Sequence, residues 1–390
     1  MMGVVLLGAT GSIGGSALEV IEELDERFRV VGLASHSRWR ELSAIAARVR
    51  PEAVAIADPR AWREARDANG FDGSVSVLGG PEGLAELAAW PGADLVLNGI
   101  VGAAGLRATL SALESGRRVL LANKESLVVG GELVMRAAGS ERLLPVDSEH
   151  NALWQLLEGR PREALRRVVL TASGGPFRAV DPERLAHVSP ADALAHPTWS
   201  MGPKITVDSA TLANKGLEII EAHHLFDLPY ERIDVVIHPQ SIVHGIIECV
   251  DGSLFAALGE PDMRAPIRHA LTYPERVPSR PSAPVSDLGP LTFERPDPVR
   301  FPALGLARAA GESGGTAPAV FNAANEVAVA AFLAERIRFL EIYKICERVL
   351  EEHEVEPARS LEVLLAADRW ARERATAHAG LERIPVQPAG

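Results

Sequence analysis

The amino-acid sequence predicts an α/β protein in three parts: a doubly wound parallel sheet, a central α+β region with an antiparallel sheet, and a C-terminal helical bundle. Three observations carry this expectation. Up to about residue 148, short continuous apolar runs alternate with helix-length segments, the pattern of strands covered on both faces by crossover helices. Beyond Asn151, strand candidates flank Asp251-Gly252, a hairpin signal. After Pro302 the composition turns to Ala, Leu, Glu and Arg at helical spacing.

In chain order, the strand candidates of the first part are 4–7, 30–34, 53–57, 94–97, 119–122 and 143–146. The middle offers a strand at 168–171, a helix at 211–224, and strands at 235–238, 243–250 and 253–258. Eight prolines between Pro274 and Pro302 remove backbone donors and fix φ, so that stretch reads as a linker. Helices are expected at 319–334, 340–352 and 361–377. The expected division is 1–148, 149–273, a linker at 274–302, and 303–390. No internal repeat or low-complexity tract is visible.

A chain of 390 residues with 47% apolar content can bury a large core. Its 52 acids against 40 bases, a formal charge of -12, argue against a nucleic-acid surface and against anionic membrane. Cys249 and Cys346 are far apart and outside any CxxC pair, so neither a disulfide framework nor a zinc knuckle is indicated, and a reducing compartment fits. No signal-peptide pattern is seen, and no apolar segment reaches the ~20 residues needed to span a bilayer. A soluble, cytoplasmic protein is expected.

The first strand runs into GATGSIG at 8–14. A glycine-rich turn between strand and helix lets backbone amides approach a pyrophosphate at a helix N-terminus, the Rossmann-like arrangement. The glycines are Gly8, Gly11 and Gly14, with Thr10 where the commoner motif has its second glycine. After the second strand comes His36-Ser37-Arg38 with no acid to accept a ribose hydroxyl, so these side chains suit a 2′-phosphate and point to NADP rather than NAD. ANKES at 122–126 follows another strand candidate, and the carboxyl ends of such strands face the ligand crevice, which aims Lys124 at the site.

Asp147 and Glu149 are two residues apart after the last apolar run. Should the strand persist past Val146, they point to one side and attract a cation. Equally, Asp147 or Ser148 could cap a helix beginning near Asn151, with Glu149 in its first turn. In VDSATLANKGLEIIEAHH at 207–224, a helix places Asn214, Glu218 and Glu221 within roughly 60° of one another, with Lys215 beside that face. Asp147, Glu149 and Glu218 together make a hard-oxygen set for Mg²⁺ or Mn²⁺. TASGGPF at 171–177 offers Ser173 and successive amides to an anion. HPTWSMGPK at 196–204 has the composition of an active-site lid that closes Trp199 over a ligand.

These stretches, together with HPQSIVHG at 238–245 and FNAANEVAVAAFL at 321–333, resemble in order the 1-deoxy-D-xylulose 5-phosphate reductoisomerase family over nearly the whole chain. The resemblance implies an NADPH-dependent enzyme that rearranges the sugar phosphate by retro-aldol cleavage and re-aldol joining. Reduction of the branched aldehyde then yields 2-C-methyl-D-erythritol 4-phosphate. It implies Asp147, Glu149 and Glu218 as ligands of Mg²⁺, Mn²⁺ or Co²⁺. It places Gly8, Thr10, Gly11, Ser12, Ile13, His36, Ser37, Arg38, Asn123, Glu125 and Gly202 at NADPH. Lys124, Ser148, Ser173, His196, Ser209, Asn214 and Lys215 would meet the sugar phosphate with Glu149, Trp199 and Glu218. Lys124, Glu149 and His196 stand as the catalytic candidates, and a homodimer is implied. His36-Ser37-Arg38 departs from the Gly-Lys-Asn of many members, and Thr198 from a frequent asparagine. Competing functions are an NADP-dependent dehydrogenase of another phosphorylated aldehyde, or a non-catalytic NADPH-sensing module. The acylating dehydrogenases need a nucleophilic cysteine that neither Cys249 nor Cys346 supplies, and a sensor needs no carboxylate set.

Overall fold

The computed structural model describes residues 1–139 and 141–382. Seven strands form one parallel sheet: β1 (Met2–Leu7), β2 (Phe28–Ser35), β3 (Ala53–Ile56), β4 (Ser76–Gly79), β5 (Leu95–Asn98), β6 (Arg118–Leu121) and β7 (Leu143–Pro145). Val4 to Leu7 are fully buried, so both faces need cover. Helices supply it: α1 (Ser12–Glu23), α2 (Trp39–Val49), α3 (Pro59–Asp67), α4 (Gly80–Ala88), α5 (Gly105–Glu114) and α6 (Glu125–Ala138). The strand order β4-β3-β2-β1-β5-β6-β7 reverses direction between β1 and β5, and the carboxyl ends of those two strands open the crevice that such a switch point makes. Strand β4 was absent from the sequence expectation: it is four half-exposed residues at the sheet edge, preceding Gly80 at φ +75, too short and too polar to show a buried run.

The turn after β1 is built on glycine geometry. Gly8 has φ +86, and a Cβ there would lie 2.7 Å from the Gly99 carbonyl oxygen; a Cβ on Gly14 would lie 2.5 Å from the Gly8 carbonyl oxygen. Gly11 is the N-cap of α1 and makes no side-chain cap bond, so the first-turn amides face the crevice as orphan donors.

Strand β7 ends at Pro145, and α7 (Ser148–Leu157) begins three residues earlier than the expected Asn151. The second sheet contains β8 (Leu165–Ala172), β9 (Ile233–Ile237), β10 (Val243–Cys249) and β11 (Leu254–Leu258), in the order β11-β10-β8-β9. It is mixed rather than antiparallel: β10 pairs antiparallel with β8 and β11, but β8 pairs parallel with β9. The connection from β8 to β9 is a long crossover through α8 (Pro182–Leu185), α9 (Pro190–Leu194), α10 (Pro203–Thr211) and α11 (Ala213–Phe226), which lets the two strands run the same way. The helix expected at 211–224 is α11, which starts two residues later because Leu212, at φ +61, separates it from the preceding α10, a helix the sequence did not lead us to expect.

After α12 (Arg264–Thr272), the proline-rich stretch is docked rather than loose, with Glu294 and Ile237 exchanging backbone hydrogen bonds of 2.8 and 2.9 Å. The chain then forms α13 (Ala303–Ser313), α14 (Ala317–Leu333), α15 (Glu341–Glu351) and α16 (Leu361–His378). Helix α14 is buried on nearly every side and packs on α15 and α16, and also on α6 and α10 of the preceding parts.

Gly14→Ala puts a methyl group into backbone with no space to yield. A loss of about 1–3 kcal/mol is expected, read as a lowered thermal unfolding midpoint; an unchanged midpoint would show that α1 moves freely from the turn.

Candidate active site

The carboxylates meet at the carboxyl ends of β6 and β7. Asp147 is the N-cap of α7 in position only: its side chain makes no cap hydrogen bond and instead pairs through Oδ2 with Lys124 Nζ at 2.5 Å. Glu149 lies in the first helical turn. The two acids therefore do not converge by strand alternation, which stops at Pro145; the turn into α7 brings them round. Helix α11 delivers the third acid. One oxygen each of Asp147, Glu149 and Glu218 lies within 4.8 Å of the others, and Asp147 Oδ1 is buried without a hydrogen-bond partner. Hard donors at this spacing fit Mg²⁺ or Mn²⁺.

Two ammonium groups answer the acids. Lys124 Nζ donates to Glu218 Oε1 (2.8 Å) and Asn214 Oδ1 (2.9 Å), and Lys215 Nζ donates to Glu149 Oε1 (2.8 Å) and to Glu218 Oε2. Ser148 Oγ donates to Glu149 Oε2 (2.5 Å). Burial opposes the charge on Lys124, but Asp147 and Glu218 outweigh it and hold the ammonium well above the ordinary lysine range. Burial likewise opposes ionised Asp147, and Lys124 overcomes it. Glu149 goes the other way: burial, then the Glu218 charge, push it up to about 7 against the pull of Lys215.

A second grouping, Asp147, His150 and Glu221, has similar spacing. His150 Nε2 lies 2.9 Å from the Glu218 carbonyl oxygen, which only accepts, so that nitrogen carries hydrogen. Its Nδ1 faces Asp147 at 3.4 Å and Glu221 at 3.3 Å. Burial disfavours the imidazolium, yet Glu221 and Asp147 raise it to about 9, so a proton supplies the positive charge there.

Directly after β8, Ser173 Oγ lies 2.9 Å from His196 Nε2 and accepts from Gly175 N at 3.1 Å. Gly174 (φ +84) and Gly175 (φ +65) turn the chain so closely onto α10 that a Cβ on Gly175 would lie 2.8 Å from the Ser209 carbonyl oxygen. In the 196–202 segment, His196 Nδ1 accepts from Thr198 N and Trp199 N, and the Trp199 ring meets His244 edge-on at 6.2 Å.

At the nucleotide crevice, Arg38 Nη2 donates to the Thr10 carbonyl oxygen at 2.6 Å, which joins the 36–38 loop to the 8–14 turn. Asn123 is turned inward, its Nδ2 donating to Ile100 O, Gly102 O and Glu125 Oε2. Glu125 is also buried, with Lys204 Nζ donating to its Oε1 at 2.8 Å. Gly202 is the N-cap of α10, two residues before that lysine. Lys204, His150 and His244 received no role from the sequence, which places Glu221 only on the polar helix face with Asn214 and Glu218. The spacing of Lys204 to Asp208, i and i+4 at 2.9 Å, was the available signal.

Glu149 must ionise to bind a cation, so below about 7 divalent affinity should fall about tenfold per pH unit. Because its folded pKa stands above the ordinary 4.5, the native protein binds more protons in that window, and metal-free stability falls as pH rises through it. Added Mg²⁺ should therefore raise the unfolding midpoint more at pH 8 than at pH 6. Calorimetric titration across that range checks this, and a pH-independent affinity would remove Glu149 from the set.

Three family models match the chain in succession: 1-deoxy-D-xylulose 5-phosphate reductoisomerase at 4–131, its C-terminal domain at 143–226, and the DXP reductoisomerase C-terminal domain at 258–374. Among curated relatives named 1-deoxy-D-xylulose 5-phosphate reductoisomerase, that of Gloeobacter violaceus is 51% identical over 379 residues, covering 96% of both chains. That of Stutzerimonas stutzeri is 52% identical, covering 95% of this chain and 96% of its own. A crystal structure of DOX-P reductoisomerase with NADPH, fosmidomycin and magnesium superposes with a TM-score of 0.91 at 41% identity, covering 97% of this chain and 98% of that one. The Zymomonas mobilis enzyme in complex with NADPH gives 0.88 at 45%, covering 97% and 99%. With identity of this level running through both sheets and the helical bundle, the chain belongs to the 1-deoxy-D-xylulose 5-phosphate reductoisomerase family.

Proposed function

We propose that this chain is an NADPH- and divalent-metal-dependent reductoisomerase. It converts 1-deoxy-D-xylulose 5-phosphate to 2-C-methyl-D-erythritol 4-phosphate, by rearrangement and then reduction, on the non-mevalonate route to isoprenoid precursors. One observation supports this most directly: three carboxylates and two buried ammonium groups converge at the same carboxyl-end edge of the parallel sheet that carries the glycine turn. A plain dehydrogenase or a sensing module has no need of that set.

In this proposal Asp147, Glu149 and Glu218 hold the cation. Gly8, Thr10, Gly11, Ser12 and Ile13 hold NADPH with the 36–38 loop. When bound, the cation withdraws electron density from the substrate carbonyl and NADPH supplies the hydride. Lys124 keeps a fixed positive charge beside Asn214 and Glu218, where negative charge develops on substrate oxygen during the rearrangement. Ser173, His196, Ser209, Asn214 and Lys215 bind the sugar phosphate, and Trp199 covers it against water. Asn123 and Glu125 act from behind, bracing the crevice wall.

The same proposal includes a homodimer across β11 and a cytoplasmic setting. Leu254, Phe255 and Leu258 on that edge strand are 66%, 39% and 50% exposed, an apolar edge that a second copy would cover. Both cysteines are free and buried, which suits a reducing compartment. Among the described residues no helix is long and apolar enough to cross a membrane.

NADPH oxidation should require both the sugar phosphate and Mg²⁺ or Mn²⁺, and should stop with excess chelator; oxidation that ignores the metal would overturn the assignment. Glu149→Gln should lower kcat by about a hundredfold or more while leaving the NADPH dissociation constant unchanged in a direct binding titration. Leu254→Glu combined with Phe255→Glu should shift the sedimentation coefficient from dimer to monomer, and a wild-type protein that sediments as a monomer would remove the β11 interface.

A further inference from the structure

The 321–333 stretch forms most of α14, far from the carboxylates in sequence and with no part in the chemistry above. Three polar side chains interrupt its buried surface. Asn322 Nδ2 donates to Glu326 Oε1 (2.9 Å), Asn325 Nδ2 donates to Asp208 Oδ1 (2.7 Å), and Glu326 Oε1 also accepts the backbone N–H of Ala103 at 3.0 Å. A carboxylate at 15% exposure inside a helical bundle needs a partner. Arg372 of α16 provides it, donating from Nη2 to Glu326 Oε2 at 2.6 Å. That ion pair explains one oxygen. The other leaves the bundle and reaches a loop of the first sheet.

Ala103 belongs to the loop after β5, at the switch point of the strand order. The same loop backs the nucleotide turn: a Cβ on Gly8 would lie 2.7 Å from Gly99 O and 3.3 Å from Ile100 N. Gly102, at φ +81, approaches so closely that a Cβ would lie 2.8 Å from Glu326 Oε1. From the other side, Asn123 Nδ2 donates to Ile100 O (2.7 Å) and Gly102 O (2.9 Å). Carbonyls of the loop are thus held by the first sheet's own domain, and one amide by the C-terminal bundle.

We infer that Glu326 is a positioning residue for the dinucleotide: from the C-terminal bundle it fixes the 100–103 loop against the Gly8 turn, so that the crevice is formed before the cofactor arrives. The inference rests on the NADPH site proposed above. A loop already ordered in the free protein does not charge its ordering entropy against binding. Released from Glu326, it would have to be ordered by the cofactor itself, which weakens NADPH without touching the carboxylate site.

The test uses full-length protein and two conservative variants. E326D keeps a charge facing Arg372 but is one methylene too short to hold Arg372 and the Ala103 N–H together. E326Q keeps an oxygen for that N–H and loses the ion pair. With E326D, the NADPH dissociation constant and KM should rise about tenfold, while kcat at saturating NADPH and the KM for sugar phosphate stay within about twofold. With E326Q, the thermal midpoint should drop while the NADPH dissociation constant stays within about threefold. Wild-type NADPH affinity in folded E326D would overturn the inference. So would E326Q weakening NADPH as far as E326D, since that assigns the residue to its ion pair alone. Wild-type protein that binds no NADPH would be a separate result, overturning the function proposal and this inference with it.

Discussion

Burial of like charges between β6, α7 and α11 is the constraint on which the rest of the molecule depends. Asp147, Glu149, Glu218 and Glu221 share a space from which water is largely excluded, and an unpaired buried ion costs several kcal/mol even after relaxation. Lys124, Lys215 and His150 offset that cost only in part, by geometry that leaves little freedom. Lys124 must lie within reach of residues on two other elements, and Lys215 must span from α11 to α7. Movement of any one element would strand a charge. The site is therefore a device that fixes the relative placement of the parallel sheet and the crossover helices, as well as one that attracts a cation.

A second polar set extends the same logic away from the chemistry. Glu125 directly follows Lys124, accepts from Lys204 of α10, and shares Asn123 with the loop after β5. Asp208 of α10 accepts from Asn325, and Glu326 accepts from Ala103 and pairs with Arg372. Through these contacts the C-terminal bundle touches both the nucleotide side and the helix that follows the 196–202 segment. Buried polar groups of this kind are costly when half satisfied and rigidifying when complete. Three atoms of this set fall short of a hydrogen bond among the described residues: Asp208 Oδ2, which has its lysine as an ion pair, and Asn322 Oδ1 and Asn325 Oδ1.

Much of this was legible in one dimension. Apolar runs such as Val4 to Leu7 announce strands buried on both faces, and a turn with Gly8 and Gly14 announces close backbone approach. What failed was local and has local causes. Strand β4 carries too little apolar sequence to signal itself, and Leu212, which sets where α11 starts, adopts a left-handed conformation that an apolar side chain does not advertise. The parallel pairing of β8 with β9 could not be read, because direction depends on where a crossover of some sixty residues returns.

The sequence by itself determined the chemistry available: hard oxygen donors, ammonium groups, a glycine turn without an acid after β2, and a lid-like segment with Trp199. These follow from residue type and short spacing, which act over one or two turns of chain. Tertiary structure alone decided their partnerships. Asp147 is a helix cap by position and a partner of Lys124 by contact; His150 becomes a wedge between two acids; Asn123 braces a loop; and Glu326 reaches across more than two hundred residues to Ala103. Periodicity cannot encode such meetings, because they depend on how strands are ordered and how helices pack. That order comes from burying apolar surface over the whole chain, and the polar contacts are made where it leaves them within reach.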